Sequence, residues 1–178
     1  MSMRIRVVAM ATAVLLGAGG LALAPAASAA APYHGIDGGG AVTDDWQDEE
    51  NLGVDDYATS NATALWETVL WADGAQWQDD DGDWHPFTRN QIDGSFGPET
   101  ESATQWWQEH FGLSDNDGVV TDQTWTFAQQ RLTGPTSLQT VTYHGTAHNT
   151  PLKRISGKYR VRIKGTGSYR IAYYDKLG

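Results

Sequence analysis

The chain has 178 residues, contains no cysteine and carries 22 acidic against 12 basic residues, which gives a formal net charge of −10. Without cysteine the chain can form neither a disulfide framework nor a lipid anchor attached to cysteine. The excess of acidic residues repels phosphate and therefore argues against nucleic acid as a partner.

The first 29 residues have the three-part form of a secretory signal peptide. Arg4 and Arg6 supply a positively charged start, an apolar stretch interrupted by glycines follows at 7–23, and Ala-Ser-Ala at 27–29 offers a cleavage site. A membrane anchor is the alternative, because the apolar stretch is nearly long enough to span a bilayer. We expect cleavage after residue 29 and a mature chain that is secreted, extracellular or bound to the cell wall, without a membrane association.

Charge is distributed unevenly along the rest of the chain. Residues 30–132 contain 21 acidic residues and two arginines, a net charge of −19, whereas residues 133–178 contain eight basic residues and one acidic residue, a net charge of +7. This asymmetry indicates two units with different partners. Residues 30–60 lack apolar periodicity and carry acidic runs, so their composition predicts a flexible, disordered acidic spacer.

The first predicted helix runs from Asn61 to Ala72. Its apolar residues recur at helical spacing, Ser60 or Asn61 can cap its start, and Gly74 ends it. Residues 75–92 then form a predicted loop that is long for a compact domain.

The acidic run at 79–83 raises the possibility of a calcium loop. Asp79, Asp81 and Asp83 occupy the first, third and fifth positions of such a loop. The glycine and the twelfth ligand do not match, because Gly82 comes too early and Asn90 stands where a glutamate belongs. We therefore predict a solvated acidic loop and no metal site.

A sequence motif in which a turn is followed by a helix start occurs twice, 24 residues apart, at 93–100 (DGSFGPET) and 117–124 (DGVVTDQT). In each copy the Asp-Gly pair predicts a turn, and a helix start follows. After the first copy, the spacing of Ala103, Trp107 and Phe111 predicts an amphipathic helix that begins near Pro98 and ends at Gly112. Neither helix can bury its apolar stripe alone, so the two units must pack on each other.

These residues, in this order and spacing, resemble the bacterial peptidoglycan-binding domain of the three-helix type over residues 61–132. The resemblance implies a small bundle of three helices that binds peptidoglycan without cutting it. Four positions depart from the family pattern: Trp107 replaces Phe or Tyr, Thr104 replaces Val, Thr121 replaces a glycine, and Ala128 lies near an expected Leu. The family motif does not fix the ligand residues, so no site is carried over from it.

Aromatic side chains are the candidates for ligand contact, because a sugar ring stacks its apolar face on an aromatic ring while neighbouring polar groups bind its hydroxyls. Trp107 and Trp125 stand at motif positions and are predicted to be core residues. The remaining ligand-binding candidates are Trp66, Trp77, Trp84, Asn90, Gln91 and Trp106.

The period changes from 3.6 to 2 after residue 132, which predicts a basic, β-rich tail at 133–178. A strand with a cationic face is predicted from the alternation of Lys158, Arg160, Arg162 and Lys164 with apolar residues. Its return strand would present Tyr169, Ile171 and Tyr173, and Gln139–Tyr143 and Leu152–Ile155 are further strand candidates. The cationic face has three interpretations: a solvated edge, a contact for anionic wall polymers, or a docking surface on the acidic module.

The prediction for the whole chain is an α+β protein, with a three-helix peptidoglycan-binding-like bundle at 61–132 followed by a short antiparallel β tail. The expected function is non-catalytic binding of peptidoglycan by a secreted, monomeric protein that needs no cofactor. His144 and His148 have zinc-ligand spacing but fall in a predicted loop, and no nucleophile motif is present. The alternative is an interaction protein in which the same scaffold binds a protein partner such as a wall hydrolase.

Overall fold

The computed structural model describes residues 34–135 and 139–178, so the predicted signal peptide at 1–29 lies outside the described residues. The fold is α+β, with three α-helices, a two-stranded hairpin and a five-stranded antiparallel sheet. The elements follow the chain in this order: α1 (Asn61–Asp73), β1 (Gln76–Gln78), β2 (Trp84–Pro86), α2 (Pro98–Phe111), α3 (Asp122–Gln129), β3 (Leu132–Thr133), β4 (Thr140–His144), β5 (Asn149–Ile155), β6 (Lys158–Val161) and β7 (Arg170–Ile171). Within the described ranges, no helix is both long enough and apolar enough to cross a membrane.

Helices α1 and α2 begin and end where the sequence signals predict, whereas α3 ends at Gln129 and not at the predicted Gly134-Pro135. The Ser60 hydroxyl accepts the Thr63 N–H at 2.9 Å, which caps α1, and Gly74 ends that helix with a φ of +69°. Helix α2 follows Gly97, has a proline in its first turn, and ends at Gly112 with a φ of +71°. These boundaries are set by local chemistry, which is why they could be predicted.

The five-stranded sheet has the order β3-β4-β5-β6-β7. Its inner face buries apolar and tyrosine side chains from three strands, among them Val141, Tyr143, Leu152, Tyr159 and Val161. The predicted strands at 139–143 and 152–155 are confirmed as β4 and β5. Because β6 lies between β5 and β7, it is an interior strand of the sheet and not the solvated edge that one interpretation assumed.

Two details of the predicted hairpin after residue 157 are wrong. Strand β6 ends at Val161, because residues 163–165 form a short 3-10 helix in which Lys164 has a φ of +52°. The return strand buries Ala172 and Tyr174 and not the predicted set of Tyr169, Ile171 and Tyr173. The reason is the register: Ile171 pairs with Arg160, and the Ala172 N–H donates to the carbonyl of the buried Tyr159 at 2.9 Å, so Ala172 and Tyr174 lie on the core face.

The prediction of a flexible spacer does not hold for residues 34–60, which pack into the core. Ile36, Trp46 and Leu52 have no exposed surface. The Trp46 ring lies 5.5 Å from that of Trp125 and 5.3 Å from that of Tyr159, so it contacts both helix and sheet. Leu52 exchanges two backbone hydrogen bonds with Val120, at 3.0 and 2.9 Å. Periodicity could not predict this packing, because the segment has few apolar residues and they are buried one at a time along an irregular path.

The helices and the sheet share one core, so the predicted boundary at residue 132 does not separate two folding units. Buried carboxylates join the parts. Asp73 at the end of α1 accepts hydrogen bonds from the Trp107 indole and the Tyr143 hydroxyl, both at 2.7 Å, and from Arg131 at 3.0 Å. Asp45 pairs with Arg154 and accepts the Tyr159 hydroxyl, both at 2.6 Å. The Asp45–Arg154 pair, with the Lys158–Asp37 pair, connects the basic sheet to the acidic N-terminal segment.

A third buried carboxyl, that of Glu67, lies on α1 against the first Asp-Gly turn. It accepts the Gly94 N–H at 2.7 Å and the Thr100 hydroxyl at 3.2 Å. Burial raises the pKa of Glu67 from its ordinary value of 4.5 to about 9, and the two hydrogen bonds oppose that rise only in part. The group is therefore protonated in the folded protein at neutral pH.

We expect Trp46→Ala to destabilise the fold by about 3–5 kcal/mol, because the truncation leaves a large cavity between helix and sheet. Urea unfolding followed by fluorescence measures the change. The matched control is Val54→Ala, an exposed residue of the same segment at 46% exposure, which should shift the unfolding free energy by no more than about 0.5 kcal/mol. An unfolding curve of the Trp46 variant that overlays the wild type would mean that residues 34–60 are not part of the core.

The raised pKa of Glu67 predicts a loss of stability as the pH rises. A carboxyl that binds its proton more tightly in the folded state contributes fully below pH 4.5, and that contribution is lost as the pH passes through about 9. Glu49, whose pKa burial raises to about 7, acts in the same direction. The measurement is therefore the difference in unfolding free energy between wild type and Glu67→Gln at pH 5 and pH 9. The wild type should lose more stability over this range than the variant, and parallel pH profiles would contradict the prediction.

Candidate functional site

The hairpin of β1 and β2 presents two different faces, because neighbouring residues of a strand point to opposite sides. Trp77 pairs with His85, and Gln78 pairs with Trp84. Trp77 and His85 are half-buried, with ring centroids 4.8 Å apart, whereas the residues of the other face are exposed. We call this exposed set the hairpin face; its members are Gln76, Gln78, Trp84 and Pro86.

Trp84 is the dominant side chain of the hairpin face. It is 50% exposed and is the one aromatic residue among the exposed large hydrophobic side chains of the described ranges. Directly across the hairpin, the Gln78 side-chain amide donates to the Gly82 carbonyl at 2.8 Å, which orients that amide beside the indole. An indole, a proline ring and two glutamine amides form a surface on which an apolar sugar face can stack while amides bind its polar groups.

The acidic turn between the strands holds the hairpin in shape. One oxygen of Asp79 accepts the N–H groups of Asp81 and Asp83 at 3.1 and 2.9 Å, and the other contacts the His85 ring at 2.7 Å. These hydrogen bonds, first of all that to His85, lower the pKa of Asp79. The Gln78 N–H donates to the Ser102 hydroxyl at 2.9 Å, which fastens the hairpin to α2.

The predicted loop at 75–92 is therefore a hairpin, and the acidic run is its turn. No group of three metal-ligating side chains occurs in the part of the chain that the structure describes. Asp79, the first residue of the calcium pattern, instead uses its carboxylate oxygens inside the turn.

The other predicted ligand residues do not gather at the hairpin face. Trp66 has no exposed surface and donates its indole N–H to Thr104 at 2.8 Å, so its assignment to ligand contact is wrong. Gln91 accepts from the N–H and the hydroxyl of Thr88 and donates to Glu99, which closes the short 3-10 helix at 89–91. Asn90 is exposed beside it. The Gln91 amide is thus occupied by local structure.

Trp106 lies on α2 and not on the hairpin. Its ring stacks on that of His110, with centroids 4.6 Å apart and an angle of 11° between the planes. Ser102, which holds the hairpin, Trp106 and His110 follow each other at intervals of four residues and so share one face of α2. The stack, in which Trp106 is half-buried and His110 is exposed, lies on the helix face to which the hairpin is attached.

The four predicted cations do not form one continuous face. Lys158 and Arg160 belong to β6, and Lys158 is paired with Asp37. Arg162 follows the strand and stacks over the Tyr169 ring at 4.3 Å, whereas Lys164 is exposed in the 3-10 helix. Of the three interpretations of the cationic face, docking on the acidic part of the chain describes Lys158. The more deeply buried ion pair is formed by Arg154, which the alternation of basic and apolar residues did not identify.

Gln76 and Gln78 lie on the hairpin face but were not among the predicted ligand-binding residues. The signal was available in the Gln-Trp-Gln triplet, because strand geometry places both glutamines on the face opposite Trp77. It could be used only if residues 76–78 were recognised as a strand, and a strand of three residues gives no detectable alternation.

Residues 82–127 match the model of the family described as “Putative peptidoglycan binding domain”. The matched segment begins in the turn of the hairpin, includes Trp84 and α2, and ends within α3. It covers about a quarter of the chain, and α1 and the five-stranded sheet lie outside it. Comparisons with curated proteins and with solved structures gave no match.

This family is one of binding domains and not of catalytic domains. The resemblance drawn from the repeated Asp-Gly motif is thereby confirmed for residues 82–127, which match the model of the peptidoglycan-binding domain family.

Proposed function

We propose that this protein is a secreted, non-catalytic protein of the cell wall that binds peptidoglycan through its hairpin face. The observation that carries the proposal is Trp84, which is half exposed on the hairpin and lies within the segment that matches the peptidoglycan-binding family. Leaving a tryptophan exposed forgoes the free energy of its burial, and exposed aromatic residues on rigid supports are frequent anchors of binding energy.

The chemistry of the hairpin face fits the glycan strand of peptidoglycan. The hairpin face itself carries no charge, and its indole and proline rings offer apolar surface beside two amides. Its support is fixed by the Asp79 turn and by the bond to Ser102, so little conformational freedom is lost on binding.

Basic residues in and after β6 are a second, auxiliary contact in this proposal. Because Lys158 is paired with Asp37, this contact is left to Arg160, which is half-buried on β6, and to Lys164, which is exposed in the 3-10 helix. Such contacts between exposed charges are screened by salt, whereas stacking on Trp84 is not. The two contributions therefore separate by their salt dependence.

An interaction protein that binds a wall hydrolase is the competing function. Both functions use the same scaffold, but only the first requires a direct contact with peptidoglycan. Sedimentation of the mature chain with purified insoluble peptidoglycan separates them, because a protein that acts through a partner stays in the supernatant when that partner is absent.

We expect Trp84→Ala to weaken sedimentation with purified peptidoglycan by about 30-fold in apparent Kd, which corresponds to the roughly 2 kcal/mol of a hot-spot aromatic. Because the side chain is half exposed, the unfolding free energy should change by no more than about 0.5 kcal/mol. The control is Val54→Ala, which is similarly exposed but does not belong to the hairpin face. Unchanged binding of the Trp84 variant would remove the hairpin face from the proposal.

We expect the double variant Arg160→Ser, Lys164→Ser to sediment less with whole cell walls at low salt, where unscreened charges attract anionic polymers. Binding to peptidoglycan stripped of those polymers should stay at the wild-type level. Thermal unfolding of the variant serves as the control for folding. Equal retention of variant and wild type on whole walls at low salt would show that these cations make no contact with the wall.

A further inference from the structure

A cleft of about 150 Å³ lies between α1 and the ends of two sheet strands, away from the hairpin face. Trp71 forms its wall on the helix side, and Tyr169 forms part of the opposite wall. Arg89 enters from the 3-10 helix after the hairpin, and Arg162 enters from the end of β6. The cleft therefore depends on both the helical part and the sheet.

Each arginine of the cleft is stacked on one of its aromatic walls. The Arg89 guanidinium lies 4.2 Å from the centre of the Trp71 ring, and the Arg162 guanidinium lies 4.3 Å from that of Tyr169. Stacking uses the flat face of a guanidinium and leaves its N–H donors at the edge free for hydrogen bonds. Two guanidinium groups are thus held in place without an acidic partner.

The charge of the cleft is opposite to that of the chain. No aspartate or glutamate lines it, although the chain carries 22 such residues. Among the described residues, the ion pairs involve His85, Arg131, Arg154 and Lys158, and neither Arg89 nor Arg162. Two arginines that line one cleft without a carboxylate form a site for a small anion.

The rest of the lining mixes apolar and hydroxyl side chains. Ile92, Pro151, Leu152 and Val161 contribute an apolar part of the wall, and Thr68 and Thr150 also line the cleft. Its volume is about half of the smallest typical pocket for a drug-sized ligand, about 300 Å³, so it accepts one small group and not a sugar pair.

The two segments that carry the arginines are joined to each other. The Lys164 N–H donates to the Ile92 carbonyl at 2.7 Å, which ties the residues after Arg162 to those after Arg89. The Arg89 side chain also lies against Gly165, where an added Cβ would come within 3.4 Å of it. The cleft is thus formed before any ligand binds, which lowers the entropic cost of binding.

We propose that this cleft binds the free C-terminal carboxylate of a peptide whose last residue has a small apolar side chain. The planar carboxylate matches the fork of a guanidinium, and the apolar lining receives the side chain, which an inorganic oxyanion lacks. The identification of that peptide as the stem peptide of peptidoglycan rests on the proposed function, whereas the affinity of the cleft for a peptide carboxylate does not.

The test is a calorimetric titration of the mature chain with N-acetyl-alanyl-alanine, in its L,L and D,D forms, and with the corresponding C-terminal amides. We expect at least one acid to bind and its amide, which lacks the negative charge, to bind at least about tenfold more weakly. Equal binding of acid and amide in the wild type, or no binding of either acid, overturns the proposal. Inorganic phosphate that binds as tightly as the acid overturns it as well.

Arg89→Gln and Arg162→Gln locate the binding in the cleft. Each variant should bind the peptide acid about tenfold or more weakly than the wild type. The matched control is Arg170→Gln, which changes an exposed arginine of β7 outside the cleft and should bind the acid like the wild type. Should Arg162→Gln fail to fold, as judged by circular dichroism, Arg162→Lys replaces it. This variant keeps the positive charge but loses the forked hydrogen-bond geometry of the guanidinium. Full affinity in both folded glutamine variants contradicts the proposal.

Sedimentation with insoluble peptidoglycan, measured on the same variants, distinguishes the two proposals. Peptide binding without sedimentation overturns the wall function and leaves the carboxylate site. Sedimentation that depends on Trp84, without peptide binding, leaves the wall function and overturns the cleft.

Discussion

The structure depends on the buried carboxylate of Asp73. It accepts hydrogen bonds from Trp107 on α2, Arg131 after α3, Tyr143 on β4 and the Thr146 N–H. A charged group without exposed surface is costly unless donors surround it, and here these donors come from three parts of the chain. The helices and the sheet must therefore assemble together, because the carboxylate is satisfied only when all of them are in place. Burial, with the nearby Asp73 charge, raises the pKa of the Tyr143 hydroxyl, which keeps that donor protonated.

The uneven charge of the sequence has an internal explanation. An acidic front and a basic tail suggested two units with different partners, yet the Arg154–Asp45 and Lys158–Asp37 pairs join those parts within one fold. The Tyr159 hydroxyl shares Asp45 with Arg154, so the N-terminal segment is fixed by a buried polar cluster as well as by Trp46. An uneven charge distribution indicates separate partners only where the oppositely charged segments do not form ion pairs with each other within the fold.

What could be predicted from the sequence was local. The ends of α1 and α2 are fixed by interactions within a few residues, at Ser60, Gly74, Pro98 and Gly112. The repeated Asp-Gly motif led to the family whose model matches residues 82–127. The packing of residues 34–60, the hairpin and the register of β7 against β6 depend on contacts with distant parts of the chain, which periodicity does not reveal. Of the residues on the hairpin face, Trp84 was among the predicted ligand-binding residues, whereas Gln76 and Gln78 were not. The prediction for Trp66 was wrong because α1 lies in the centre of the fold. All residues of α1 except Trp71 are buried, so the helix has no solvent-exposed face at whose edge Trp66 could lie.

The departures of this chain from the family pattern have a consequence for its modularity. Thr104, which stands where the family has Val, accepts the Trp66 indole N–H, a bond that Val could not make. Trp107, which stands where the family has Phe or Tyr, donates its indole N–H to Asp73, a bond that Phe could not make. Two of the donors to Asp73, Tyr143 and Thr146, come from the sheet. A fragment cut at residue 132 would keep the carboxylate but lose these two donors. The helical part therefore depends on Tyr143 and Thr146, and a fragment transferred to another protein would have to include these residues as well as the helices.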